Sequence, residues 1–301
     1  MDYTLLWIPA TLIAAAAQTA RNAMQRSLTE SLGTVGATQV RFLFGLPFAI
    51  LFLAGVLVFT GESLPGPGAT FAGFVLLGSL SQIGATALML AAMRARSFSV
   101  VTAYVKTEPV QVAIFGLIFL GDPLSFGLAV AIVIGTSGVI AMSHQPGSLT
   151  GGGMQPVLLG LAAGALFGLS ATGFRGAVLT LDGGSFLVRA STTLVWGLAI
   201  QSLVLGAYLG MFDRSGLVKS FRLWRSSARA GFMGALASQF WFIGFALTSA
   251  ANVRTLALVE VIMAQIVSRR IFSQNVTRKE LAGMAAILVG VGVLLLVSAP
   301  G

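Results

Sequence analysis

Ten separate runs of apolar residues divide this chain, each about the length a helix needs to cross a bilayer. They cover 4–26, 34–60, 70–93, 98–120, 124–143, 156–179, 184–211, 228–249, 252–272 and 278–298. In water such runs would need polar cover, and the chain has little: 9% of its residues are charged, against about 25% in an ordinary globular protein. Lipid is therefore the expected solvent for most of the surface, and the expected fold is an all-α polytopic membrane protein with ten transmembrane helices. The first run has no basic leader and no evident cleavage site, so it reads as a retained helix. With no Cys, thiolate chemistry and thiolate metal sites are excluded.

A net charge of +9 would suit nucleic acid only if the bases formed one face of a folded domain. They sit instead in short gaps between apolar runs, where Lys and Arg act as orientation signals. The odd-numbered gaps hold thirteen of them: Arg21, Arg26, Arg94, Arg96, Arg214, Lys219, Arg222, Arg225, Arg229, Arg269, Arg270, Arg278 and Lys279, or eleven if Arg21 and Arg26 line the cavity instead. The even-numbered gaps hold only Arg175 and Arg254. The positive-inside rule then puts the odd-numbered gaps in the cytoplasm and both termini outside. The lipid bilayer of a bacterial inner membrane is the expected setting, with no nucleic acid partner and a monomeric chain.

A flexible stretch near the midpoint, His144 to Gln155, carries Gly151-Gly152-Gly153 and leaves five apolar runs on each side. The halves resemble one another. Ala72-Gly73-Phe74 opens the third run as Ala230-Gly231-Phe232 opens the eighth, and Ser81-Gln82 is answered by Ser238-Gln239. Arg41 pairs with Arg189 at an offset of 148, Arg26 with Arg175 at 149, and Glu108 with Glu260 and Gly138 with Gly290 at 152. The expected organisation is a first five-helix repeat over 1–143, a linker over 144–155 and a second repeat over 156–301. Five is odd, so the second repeat enters the membrane upside down, the geometry by which many secondary transporters build alternating access.

Glu108-Pro109, then Phe119-Leu120-Gly121-Asp122-Pro123-Leu124-Ser125, then Gly135 and Gly138 carry a family resemblance. The pattern resembles the EamA-type carriers of the drug/metabolite transporter superfamily, a group that includes YddG-like amino-acid exporters. In the second half the match thins: Gln274 stands where Asp122 stands in the first, and no Pro follows Glu260. The resemblance implies export of a small-molecule substrate, amino acids foremost, with no bound cofactor. It also implies termini in the cytoplasm, opposite to the charge reading, which we follow.

An ionisable side chain at membrane depth costs at least about 2.5–3.5 kcal/mol on insertion scales, so each such residue needs a partner or a watery cavity. Within the runs they are Arg41, Lys106, Glu108, Arg189 and Glu260. On one continuous helix Tyr104, Glu108, Gln111 and Phe115 would share a face, and Lys106 would point about 200° away from Glu108. Pro109 argues that the helix is not continuous, because it removes a backbone donor and clashes with the carbonyl four residues earlier. Gln18, Asn22 and Gln25 form a polar stripe on the first run, and Gln82, Gln239 and Trp241 add further polar groups near the same depth. The expected substrate site is therefore Gln18, Asn22, Arg41, Gln82, Tyr104, Lys106, Glu108, Arg189, Gln239, Trp241 and Glu260. Lys106, Arg41 or Arg189 would meet a carboxylate, while Glu108 or Glu260 would meet an ammonium or carry a proton.

Other functions fit less well. A proton-coupled exporter of drugs or quaternary cations would use the same two glutamates. A membrane-embedded lipid enzyme would need clustered Asp or His, and a lipid-linked sugar flippase a laterally open groove. Gly135-Thr136-Ser137-Gly138 has the form of a rhomboid serine motif, but the single His, His144, lies in the linker after the same run, leaving no base on another helix. No His/Cys metal cluster and no phosphate-binding Gly-Lys-Ser/Thr loop occurs, so neither an enzyme nor an ATP-driven pump is expected.

Overall fold

A computed structural model describes residues 5–95, 98–143, 154–272 and 278–298. Among these every regular element is a helix. Thirteen helices follow in order: α1 (Trp7–Leu43), α2 (Leu46–Thr60), α3 (Ala69–Ala95), α4 (Phe98–Val105), α5 (Glu108–Leu120), α6 (Phe126–Ser143), α7 (Gln155–Leu179), α8 (Phe186–Phe212), α9 (Arg214–Arg222), α10 (Trp224–Leu247), α11 (Ala250–Leu256), α12 (Val259–Phe272) and α13 (Arg278–Val297). Most of the linker expected over 144–155, and Gln274, lie outside the described residues.

The thirteen helices make ten spans: α1 holds the first span and the start of the second, the second, fourth and ninth spans are each interrupted, and α9 lies between spans. The first span runs beyond its expected end at residue 26, since the polar turns after it stay helical and Thr29 Oγ1 donates back to the Gln25 carbonyl at 3.0 Å. The chain then reverses at Gly33, whose φ of 69° and ψ of 175° suit a residue without Cβ. The second span bends at Gly45 before α2; there a Cβ would lie 3.1 Å from the carbonyl of Gly231 on α10. The fourth span is α4 plus α5 and the ninth is α11 plus α12. Between α8 and α10 the short basic α9 is capped by Asp213, which accepts from Gly216 N and Ser215 Oγ at 2.9 Å; these bonds hold its carboxyl below the usual range.

Lipid is written into the surface. On α2 only Ala49 is buried, and Val58 and Phe59 are 86% and 87% exposed, a helix apolar all round that water would not tolerate. The interior is joined by close helix contacts instead of bulk. A Cβ on Gly173 of α7 would lie 2.6 Å from the Gly78 nitrogen of α3, and one on Gly290 of α13 would lie 2.7 Å from the Gly135 nitrogen of α6. Small residues of this kind let helix backbones approach in lipid, where packing supplies much of the association energy.

The main packings obey an exchange of span n with span n+5. The pair α3–α7, spans three and six, exchanges with α10–α1, spans eight and one. The pairs α6–α13 and α2–α8, and the two broken spans α4–α5 and α11–α12, each map onto themselves. This is the packing of two inverted five-helix repeats.

Candidate functional site at two broken helices

The fourth span breaks where Pro109 requires it. Thr107 turns the chain, with its N–H and Oγ1 both donating to the Tyr104 carbonyl at 3.3 and 3.0 Å, and Pro109 settles into the first turn of α5, where a missing N–H costs nothing. The ninth span breaks without a proline. Its turn is drawn tight by bonds three residues back: Leu258 N to Thr255 O, Glu260 N to Ala257 O and Val261 N to Leu258 O. Both breaks fall just before a glutamate, Glu108 in one repeat and Glu260 in the other.

Each glutamate meets a base from the opposite repeat. Lys106 Nζ lies 3.0 Å from Glu260 Oε2, and Arg254 Nε lies 3.0 Å from Glu108 Oε1. None of the four side chains is more than 4% exposed. Both contacts are buried ion pairs between opposite repeats. Gln18 of α1 donates Nε2 to both Glu260 oxygens at 3.1 and 3.0 Å and accepts the Trp241 indole N–H at 3.0 Å. The Arg254 guanidinium covers the Trp241 ring at 4.4 Å, an occupied cation–π slot that joins the two ion pairs into one network.

A second group of polar residues lies beside the first. Arg21 and Arg41, 0% and 1% exposed, converge on Gly234 of α10. Arg21 donates to Asn22 Oδ1, and Arg41 Nη1 donates to Thr86 Oγ1 at 3.1 Å. Thr86 in turn donates to the Gln82 carbonyl at 2.8 Å, while Gln82 Oε1 accepts from Gln201 Nε2 at 3.0 Å.

Of the eleven residues read from the sequence, Gln18, Lys106, Glu108, Trp241 and Glu260 fall in the first network, with Asn22, Arg41 and Gln82 in the adjoining group. Three stand apart. Tyr104 packs on Gly160 of α7, because the break ends the helical register that would have aligned it with Glu108. Gln239 donates to Ser191 Oγ of α8 at 2.9 Å. Arg189 stays half-buried in the first turn of α8, its Nε without a hydrogen-bond partner.

Two residues of the cluster fall outside the expected site: the sequence reading counts Arg254 as a gap residue, and Arg21 as a gap residue with a place lining the cavity as its alternative. Arg254 is buried in α11 and Arg21 is buried in α1. The signals were present: Arg254 follows Lys106 by 148 residues, the offset that pairs Arg41 with Arg189, and Arg21 belongs to the Gln18–Asn22–Gln25 stripe. Arg175, also read as a gap residue, closes α7 instead. It forks onto Asp122 with two contacts of 2.9 Å and donates to the Phe245 and Thr248 carbonyls at the end of α10. This clamp ties the two repeats together at the membrane face where α5, α7 and α10 end.

Ten helical spans with lipid-facing apolar surfaces, and buried charge where two broken helices meet, describe an integral multi-pass membrane protein. Residues 5–144 match the model of the EamA-like transporter family. A crystal structure with 15% identity superposes with a TM-score of 0.67 over 99% of this chain and 97% of its own, a likeness of fold alone. No curated protein matches the sequence.

Proposed function

We propose that the chain is a secondary active transporter that exports small metabolites, amino acids foremost, by alternating access between the inverted repeats 1–143 and 156–301. The observation that carries this reading is the crossed pair of ion contacts, Lys106–Glu260 and Glu108–Arg254, at equivalent helix breaks. Broken backbone at membrane depth is tolerated where protein or a watery cavity covers it, and transporters place such breaks at substrate sites. A zwitterionic cargo would compete for both members of a pair, its carboxylate for Lys106 or Arg254 and its ammonium for Glu260 or Glu108.

The arrangement disfavours a cation exporter, since Arg254 already occupies the Trp241 face and the buried bases outnumber the acids. By charge, the face bearing Arg26, Arg94 and α9 is cytoplasmic and the Arg175–Asp122 clamp is external. Counterflow in proteoliposomes across amino acids, organic cations and phosphorylated sugars tests the reading. Amino-acid counterflow is expected, and it should vanish in Lys106→Met and Glu108→Gln while both variants remain in the membrane. Normal counterflow by both, or efflux of cationic dyes alone, would contradict it.

A further inference from the structure

The buried charges do not balance. Among the described residues Arg21, Arg41, Lys106 and Arg254 are buried bases, whereas Glu108 and Glu260 are the buried acids. Both carboxylates are engaged, by Arg254 and Lys106. Neither Arg21 nor Arg41 forms an ion pair, and their direct partners are neutral: Asn22 for one, Thr86 and the face of Phe42 for the other. Each also keeps a buried nitrogen with no acceptor, Nη1 of Arg21 and Nε of Arg41. Their stems meet at Gly234, where a Cβ would lie 3.1 Å from Arg41 Cγ and 3.3 Å from Arg21 Cδ, so α10 makes room for both together.

Two buried guanidiniums whose stems meet at one glycine at membrane depth forfeit hydration without a counter-charge in direct contact, a costly arrangement. A guanidinium is also the side chain whose fork of N–H donors fits a carboxylate with two parallel bonds. We infer that Arg21 and Arg41 form an anion subsite beside the crossed ion pairs, and that the cargo carries two carboxylates, as an acidic amino acid or a small dicarboxylic acid does. This deepens the carrier reading and rests on it. The cargo supplies the missing counter-charge, so the cluster is satisfied only when loaded.

Thermal melting of the purified chain and counterflow in proteoliposomes test the assignment. L-Glutamate or succinate should raise the melting temperature by roughly 3 °C or more at saturating concentration, while leucine, inorganic phosphate and tetraphenylphosphonium should not. Without ligand, Arg21→Met and Arg41→Met should melt above the parent, because an unpaired buried charge is gone. They should lose the ligand-induced shift and at least tenfold of glutamate counterflow.

A variant that melts below the parent is judged through Arg41→Lys, which keeps charge and stem: a partial shift supports the subsite, and no shift overturns it. A full shift retained by both methionine variants overturns it as well. Stabilisation by leucine or phosphate without either dicarboxylate would also overturn it, while leaving the carrier reading in place. Absence of counterflow for every solute would count against the carrier reading itself.

Discussion

Glu260→Gln should cut transport at least about 100-fold and lower stability by about 3–5 kcal/mol, the usual cost of stripping one partner from a buried ion pair. Glu260 is the point on which the first network converges: Lys106 Nζ at 3.0 Å, two contacts from Gln18, and through Gln18 the Trp241 indole. Glutamine keeps the shape and leaves Lys106 as an ammonium with no counter-charge. About 3 kcal/mol on a step that must re-form the pair is about 100-fold in rate. The double variant Lys106→Met/Glu260→Gln separates the two effects. Removing both charges should recover most of the lost stability and none of the transport, read by melting temperature and by counterflow on the same preparation. Recovery of transport in the double variant would show the pair to be structural only.

Gly173→Leu should be the most damaging single change outside the charge cluster, lowering stability by about 3 kcal/mol or preventing assembly. A Cβ on Gly173 meets the Gly78 nitrogen at 2.6 Å and its Cα at 2.8 Å, and backbone cannot rotate aside as a side chain can. The α3–α7 contact joins spans from different repeats, so a wedge there parts the halves instead of denting one of them. Gly73→Leu is the matched control: it lies on the same α3 with nothing within 4 Å of its Cβ position, and it should change stability by less than about 0.5 kcal/mol. Equal yields of monodisperse protein from both variants would show that the helix contact is not close.

The spans were legible because bilayer thickness imposes a length on every crossing, and apolar runs report it without knowledge of packing. The break in the fourth span was legible for a local reason, the ring of Pro109. The break in the ninth was not, since three-residue turns around Ala257 and Leu258 leave no mark in residue type. That hidden break changed the site. With the ninth span read as straight and starting near residue 252, Arg254 looked like a gap charge, and the partner of Glu108 went unseen. Arg21 was left between a gap and the cavity for a similar cause: its helix continues to Gly33, well past the last apolar residue, so a position that looked terminal is interior. Tyr104 shows the converse error, a face drawn along a helix that stops at Val105.

The central claim is that the two broken spans meet at a site which opens to each side of the membrane in turn. The chain has no native cysteine, so a single cysteine at Thr107, half-buried at the first break, can be followed without background. In proteoliposomes that transport, a membrane-impermeant maleimide should label it from either face, and cargo on one side should raise the rate from one face while lowering it from the other. Labelling from a single face under every cargo gradient, or from neither face while transport persists, would contradict the account.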